Sequence, residues 1–287
     1  MRPGHSRREI LSGMLACGSL AASPALAGEP LKFGLTPVVV TSDIDLVDRL
    51  KRYLQRATGS EVKLVTRRTY QEITSLLISG QIDSAWICGA PYAAYRPKLA
   101  LVAVPLWRQQ PLYRSFLIAA RDRAAQGLDD LRGDVHAFSD PDSNSGWLVT
   151  SAYLAARKQT PDRFFSQTFF TWGHRNVIRA VASGLAASGS VDGYVYEVLR
   201  ETEPDLVSAT RVVSQSELLG FPPVACAASL AGDPRILRLQ RALVDMAGDE
   251  DGRAVLSLLR LDGFSIQPDS LFDSIAEELA IVRGAAG

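Results

Sequence analysis

The period of the apolar residues changes repeatedly along the chain, and this restricts the fold more than any other feature. Leu31-Lys32-Phe33-Gly34-Leu35-Thr36 is a short strand ending in a loop. Across residues 43–57, Ile44, Leu46, Val47, Leu50, Tyr53 and Leu54 recur at helical spacing, and Gly59 ends the run. Residues 62–65 (Val-Lys-Leu-Val) make a second strand, and residues 70–78 a second helix stopped by Gly80. Residues 84–88 are a third strand that runs into Gly89-Ala90-Pro91. Short strands separated by single helices predict an α/β fold, with a parallel sheet and helices on its faces.

The rhythm repeats further on. Residues 101–106 and 115–120 read as strands, and residues 129–133 as a turn of helix before the strand 135–138. A polar loop over residues 139–146 leads into a helix from about Trp147 to Arg157. Then come an extended stretch over 164–172, a helix over 176–187 and a strand over 191–195. Residues 211–214 are extended, Pro222-Pro223 opens another extended stretch, and the end is helical over 234–246, 252–259 and 271–283. Two βα cycles of similar size predict two lobes. The chain starts in one, visits the other and returns. The expected first lobe is residues 28–120 plus 213–287, the second is 121–212, and the hinges fall near 120 and 212.

The first 27 residues read as an export segment. Arg2, Arg7 and Arg8 form a basic start, and the apolar stretch from Ile10 to Ala22 is too short for a permanent membrane span. Ala25-Leu26-Ala27 fits a cleavage site before Gly28. Ser6-Arg7-Arg8-Glu9-Ile10-Leu11 resembles a twin-arginine signal, with general export as the alternative. The mature chain is therefore expected in the periplasm, with no stable membrane insertion. Met14-Leu15-Ala16-Cys17 is a poor lipoprotein box. Cys88 and Cys226 stay in the mature chain and could pair in an oxidising compartment, but sequence does not give the spacing that pairing needs. No Cys-x-x-Cys or His-rich cluster points to zinc, and no cofactor is expected. With 31 basic and 31 acidic residues, there is no positive field for nucleic acid.

The most informative segment is Ser139-Asp140-Pro141-Asp142-Ser143-Asn144-Ser145-Gly146-Trp147-Leu148, which follows a strand and opens a helix. A helix start has unpaired N–H groups and partial positive charge. Ser and Asn add neutral donors, and Gly146 lets another group approach closely. Such a loop suits an anion. The same residues also make ordinary caps and turns, so both readings stand.

Asp140-Pro141-Asp142-Ser143-Asn144-Ser145-Gly146, with Gly173-His174 before a helix and Val191-Asp192 at a strand end, resembles the PhnD-like family of phosphonate and phosphite binding proteins of ABC importers. The resemblance runs from Leu31 to about Phe264. It implies a type II periplasmic-binding fold with two α/β lobes, a two-strand hinge and an interlobe ligand cleft. By the same resemblance, a small oxyanion is held by Ser143, Asn144 (where Thr is common) and Ser145, the site histidine is His174, and the site tyrosines are Tyr70 and Tyr113. His5 lies in the export segment and His136 in an apolar strand, so His174 is the one histidine placed by a motif. The implied partner is an ABC permease, and the protein is expected to be a monomer.

Two departures from the family pattern matter. Aminoalkyl-phosphonate binders use acidic residues where this chain has Tyr194 and Pro222, which disfavours a ligand with an amine. Asp192 and Glu197 lie nearby and could compensate in part. Cys88 stands where a small residue is more usual. It is either a small apolar filler or a soft ligand, as in arsenite sensors of this family, which signal to a membrane sensor kinase. No catalytic signature is present: there is no Gly-x-Ser-x-Gly, His-Glu-x-x-His or phosphate-loop motif. Ser143, His174 and Asp192 have the residue types of a triad, but helix-start serines fit anion donors better. The chain is expected to be a binder, not an enzyme.

Overall fold

The computed structural model describes Met1, residues 29–36 and residues 44–285. Apart from Met1, the expected export segment lies outside the described residues, with its Arg7-Arg8 pair, its cleavage site near Ala27 and Cys17. The first apolar periods become β1 (Leu31–Leu35), α1 (Ile44–Thr58), β2 (Val62–Thr66), α2 (Tyr70–Ile78), β3 (Ser84–Trp86), α3 (Gly89–Ala94) and β4 (Leu99–Leu106). After the short β5 (Leu112–Tyr113), the chain forms β6 (Ser115–Ala120), β7 (Val135–Phe138), α4 (Val149–Ala155), α5 (Pro161–Phe164) and β8 (Gln167–Phe170). Next are α6 (His174–Ala182), β9 (Ser188–Asp192), α7 (Gly193–Thr202), α8 (Pro204–Ser208) and β10 (Thr210–Gln215). The chain returns through β11 (Leu219–Gly220) and β12 (Val224–Ala227), and closes with α9 (Pro234–Val244), α10 (Glu250–Leu259), β13 (Gly263–Ser265) and α11 (Asp273–Ala285).

These strands make two main sheets. The first has the order β13-β4-β12-β3-β1-β2, and the second β10-β6-β9-β7-β8. The outgoing βα cycles pair in parallel, as the alternation predicts: β1 with β2 and β3, and β7 with β8 and β9. Strands on the crossing paths run the other way. β12 is antiparallel to β3 and β4, β13 to β4, and β6 to both β9 and β10. Each sheet is therefore mixed rather than parallel.

The chain passes between the sheets twice, just before β6 and just after β10. Tyr113 pairs with Leu219, and Leu112 with Gly220, in the two-stranded ribbon β5–β11. Ser115 and Ser216 add a mutual tie, because the Ser115 N–H donates to Ser216 Oγ at 2.9 Å and the Ser216 N–H donates to the Ser115 carbonyl at 2.9 Å. β6 and β10 both belong to the second sheet. Boundaries at 120 and 212 therefore fall at the far end of β6 and inside β10, whereas the crossings occupy residues 107–114 and 216–223.

Each sheet holds a buried apolar layer. In the first, Phe33, Leu35, Ile73 and Leu77 are fully buried; in the second, Ile118, Val177 and Val191 are. α1 buries Leu46, Leu50, Tyr53 and Leu54 on one face, and each such side chain contributes about 1.5–3 kcal/mol. α11 packs on α3 from the first lobe and α4 from the second.

Two local features differ from the sequence pattern. Residues 191–195 are rich in β-formers, yet the strand stops at Asp192. Its carboxylate accepts the Val195 N–H at 3.1 Å and starts α7. α6 begins at His174 rather than 176 and ends early, because Gly184 takes a left-handed φ of 75° just past its C-cap.

Candidate functional site

Three elements bring residues to the interlobe face from the first-lobe side. A capping box starts α2: Thr69 Oγ1 accepts the Glu72 N–H at 3.2 Å, and Glu72 Oε2 accepts the Thr69 N–H at 3.0 Å. This fixes Tyr70 as the first helical residue. Cys88 is the N-cap of α3, just beyond the end of β3. Tyr113 sits on the crossing ribbon.

The second lobe contributes the loop after β7. Ser143 caps a helix whose first turn, residues 144–148, is a wide π-turn that continues into α4. π-turns recur at functional sites. Ser143 Oγ accepts the Gly146 N–H at 3.0 Å, which leaves its hydroxyl proton free. Both readings of this serine hold together: it caps the helix and can still donate. Gly146 is required for packing, since a Cβ there would lie 1.8 Å from Ser139 Oγ. His174 starts α6, and Asp192 ends β9.

Tyr70, Cys88, Tyr113, Ser143, Asn144, Ser145, His174 and Asp192 are each at most 3% exposed. Four hydrogen bonds join the second lobe to Tyr70, Cys88 and Tyr113. The Tyr70 N–H donates to Asp140 Oδ2 at 3.3 Å, and the Tyr70 hydroxyl lies 3.3 Å from His174 Nε2. The Asn144 N–H donates to Cys88 Sγ at 3.2 Å, and Asn144 Nδ2 donates to the Tyr113 hydroxyl at 3.0 Å. The lobes are therefore closed on each other. Asp140 carries one of these contacts, a role its place in the loop did not reveal; an Asp-Pro pair reads simply as a turn.

The proton pattern follows from these contacts. His174 Nδ1 accepts the Asp192 N–H at 3.1 Å, so the ring proton is on Nε2 and points at Tyr70. Burial holds the His174 pKa down at about 3, and the ring is neutral. The Tyr70 hydroxyl thus accepts from His174 and keeps its own proton to donate. Tyr113 likewise accepts from Asn144 and keeps a proton. Burial, aided by the nearby Cys88 and acidic side chains, raises both phenols well above their ordinary range. Burial pushes the Cys88 thiol up to about 12, so it stays protonated.

Asp192 is the one group here poised near neutrality, since burial raises its carboxyl to about 7. Ser145 Oγ lies beside Tyr113 and Asp192 but meets neither with hydrogen-bond geometry. Ser139 Oγ, Asn144 Oδ1 and Ser145 Oγ are all buried without a hydrogen-bond partner. Each orphan of this kind costs about 1–3 kcal/mol, and the loop holds three of them, two hydroxyls that can donate and one amide oxygen that can only accept. Around the loop stand neutral donors and two carboxyls, Asp140 and Asp192, both already accepting backbone N–H groups, and among the described residues no Lys or Arg is ion-paired into the cluster. With no cation in it, such a site can attract an anion only by dipoles, not by counter-charge.

Tyr194 is not brought in. Because α7 begins at Gly193, its hydroxyl donates to the Leu259 carbonyl at 2.5 Å, and its ring packs on Trp107 and Phe221. Glu197 pairs with Arg108 and Arg200 outside the cluster, and the Pro222 carbonyl accepts from Trp86 Nε1 at 2.9 Å. Cys88 and Cys226 are both free thiols, so the pairing left open by the sequence is not made. Nor is a triad assembled. His174 meets the backbone of Asp192 rather than its carboxylate, and its other nitrogen meets Tyr70 rather than Ser143.

Known proteins share this fold. A binding protein component of an ABC phosphonate transporter from Pseudomonas aeruginosa superposes with a TM-score of 0.81 at 21% identity, over 90% of this chain and 88% of that one. PhnD1 from Prochlorococcus marinus, solved with methylphosphonate, gives a TM-score of 0.77 at 17% identity, over 88% and 98%. At these identities the likeness concerns the fold, which is the type II periplasmic-binding fold. In sequence, the phosphate-import protein PhnD of Mycolicibacterium smegmatis is 27% identical over 185 residues, 60% of this chain. The match spans about half, 53%, of that relative's length. A family profile described as ABC transporter, phosphonate, periplasmic substrate-binding protein matches residues 33–272. That match takes in both lobes and the whole donor cluster, and the chain belongs to this family of binding proteins.

Proposed function

We propose that the protein captures a small phosphonate-like oxyanion without an amine between its lobes in the periplasm and presents it to an ABC permease. The observation that carries this is the buried loop in which the Ser139 and Ser145 hydroxyls have no protein partner and so keep a proton to give. The anion docks on the helix start at Ser143–Ser145. Tyr70 and Tyr113 close over it, each with a proton to give, and His174 Nε2–H sets the direction of the Tyr70 hydroxyl. Exclusion of water strengthens every one of these contacts. The closed form is favoured by the ligand's extra affinity for it, and the permease reads that closed shape. A ligand ammonium finds no carboxylate at Tyr194 or Pro222, Glu197 is already paired, and Asp192 is held protonated below about 7 by burial and already accepts the Val195 N–H. A sensor role through Cys88 is not favoured, since its thiol is buried, protonated and engaged by the Asn144 N–H.

The test is a titration of the purified protein with methylphosphonate, phosphite, phosphate, aminoethylphosphonate, sulfate and arsenite. Binding of one of the first three, weakened more than about tenfold (about 1.4 kcal/mol) in Ser143→Ala/Ser145→Ala with the fold intact, is the expected result. Unchanged affinity in that variant removes the assignment of the site. Preference for aminoethylphosphonate overturns the exclusion of an amine.

A further inference from the structure

A cavity of about 490 Å³ lies between α11 and the second lobe; it includes none of Tyr70, Cys88, Ser143, Ser145 or His174, and meets the donor loop only through Ser115, whose hydroxyl donates to the Ser145 carbonyl. Leu117, Leu128, Val149 and Ala152 give it apolar walls, and its only charged lining residues are Glu217 and Glu278. Tyr153 and Ile281 also line it, and both are exposed, so it opens to solvent. α11 is anchored on α3 as well as α4, which makes the cavity part of the packed structure rather than a fraying end.

Glu278 is the informative residue. One of its carboxylate oxygens is buried without a hydrogen-bond partner. Neither Glu278 nor Glu217 belongs to an ion pair among the described residues. A carboxylate held against mostly apolar walls with no cation beside it is unfavourable; it is relieved by a proton at low pH, and by a cation once it is ionised. An anion is repelled by both glutamates. A bare divalent ion needs about six oxygen ligands, and among the described residues no group of three or more acidic, His or Cys side chains is placed to hold one. The combination of hydrocarbon surface and unpaired negative charge selects a ligand with one apolar and one cationic end. We infer that this cavity binds a small organic cation, an ammonium or guanidinium carried on a short hydrocarbon, with Glu278 as its counter-ion.

The probe is benzylammonium, titrated calorimetrically into the purified protein at about pH 8, above the value of about 7 to which burial raises Glu278. The expected result is saturable binding, with benzyl alcohol and benzoate at least about tenfold weaker. Glu278→Gln should weaken benzylammonium by a similar factor. It removes an unpaired buried charge, so it should fold at least as well as the parent. Ala152→Phe fills the cavity from α4 and should also block the probe. Absence of saturable binding overturns the proposal, as does equal binding of benzyl alcohol or indifference to Glu278→Gln. Loss of benzylammonium in Ser143→Ala/Ser145→Ala, with retention in Glu278→Gln, would place the cation in the interlobe site and also overturn it.

Discussion

His136 and His174 sit in the same lobe, equally buried and equally neutral, yet their surroundings are opposite in kind. Burial takes both rings down to about 3. His136 satisfies both nitrogens inside its own lobe, with Ser188 Oγ at 2.8 Å and Ser190 Oγ at 2.9 Å, and stacks on Phe165 with centroids 4.1 Å apart. His174 satisfies one nitrogen at home, through the Asp192 N–H, and turns the other to a tyrosine of the opposite lobe. A histidine completed within its core holds that core together. One whose second bond exists only across the cleft reports on closure. Burial alone does not separate the two; the source of the second hydrogen bond does.

The sharpest way to break this comparison is to remove each ring in turn. His136→Ala strands two buried serine hydroxyls and empties a stacked position. It should cost about 3 kcal/mol or more in chemical denaturation, with oxyanion affinity preserved in the folded fraction. His174→Ala should change stability by only about 1 kcal/mol but weaken the oxyanion by about tenfold or more, because Tyr70 loses the donor that orients its proton. If both variants lose stability alike and affinity alike, the distinction between a core histidine and a cleft histidine fails.

Sequence separated these two histidines only through the resemblance, since both follow or enter regular elements. What was legible was local. The periods of β1 to β3 and the helices between them, and the polar loop before α4 with Ser143–Ser145, were visible in the chain; Tyr70, Tyr113 and His174 came only with the resemblance, and with Cys88 they meet that loop in the structure. What was hidden depends on distant pairing. β6 and β10 look like any apolar strand, and only their partners β9 and each other put them in the second sheet. Val191-Asp192-Gly193-Tyr194-Val195 looks like a strand, and a single cap bond at Asp192 makes its second half helical and turns Tyr194 away. The reach of Asp140 to Tyr70 and the placement of Glu278 against the second lobe follow from lobe and helix docking that no local pattern encodes.

The comparison sharpens at Asp192, the neighbour that feeds His174. Its carboxyl is raised from 3.8 to about 7 by burial, whereas the phenols and thiol around it stay protonated and His174 stays neutral. Between these two values the folded protein holds a proton that the unfolded chain has released. Stability therefore falls as pH rises through that window and levels off above about 7. Oxyanion affinity follows the same sign, because an ionised Asp192 repels the ligand. Affinity should drop by up to about tenfold between about pH 6 and pH 8. Asp192→Asn should flatten that part of the profile, leaving only the ligand's own titration. A profile unchanged by the substitution would mean that Asp192 acts purely as the cap of α7.

The smallest effect is expected at Cys88, the first-lobe counterpart of the helix start. Its sulfur accepts the Asn144 N–H, and its thiol is protonated and at most 2% exposed. Serine keeps an acceptor on a slightly shorter arm. Cys88→Ser should therefore change oxyanion affinity by less than about twofold, or about 0.4 kcal/mol. Alkylation of Cys88 in the parent should be slow, and slower still with oxyanion bound, because reaction requires a thiolate and an open cleft. Loss of oxyanion binding in Cys88→Ser would show that the sulfur does more than fill space and receive one N–H. Arsenite binding abolished by that same change would restore the soft-ligand reading, in which the first lobe recognises the ligand and the serine loop only closes on it.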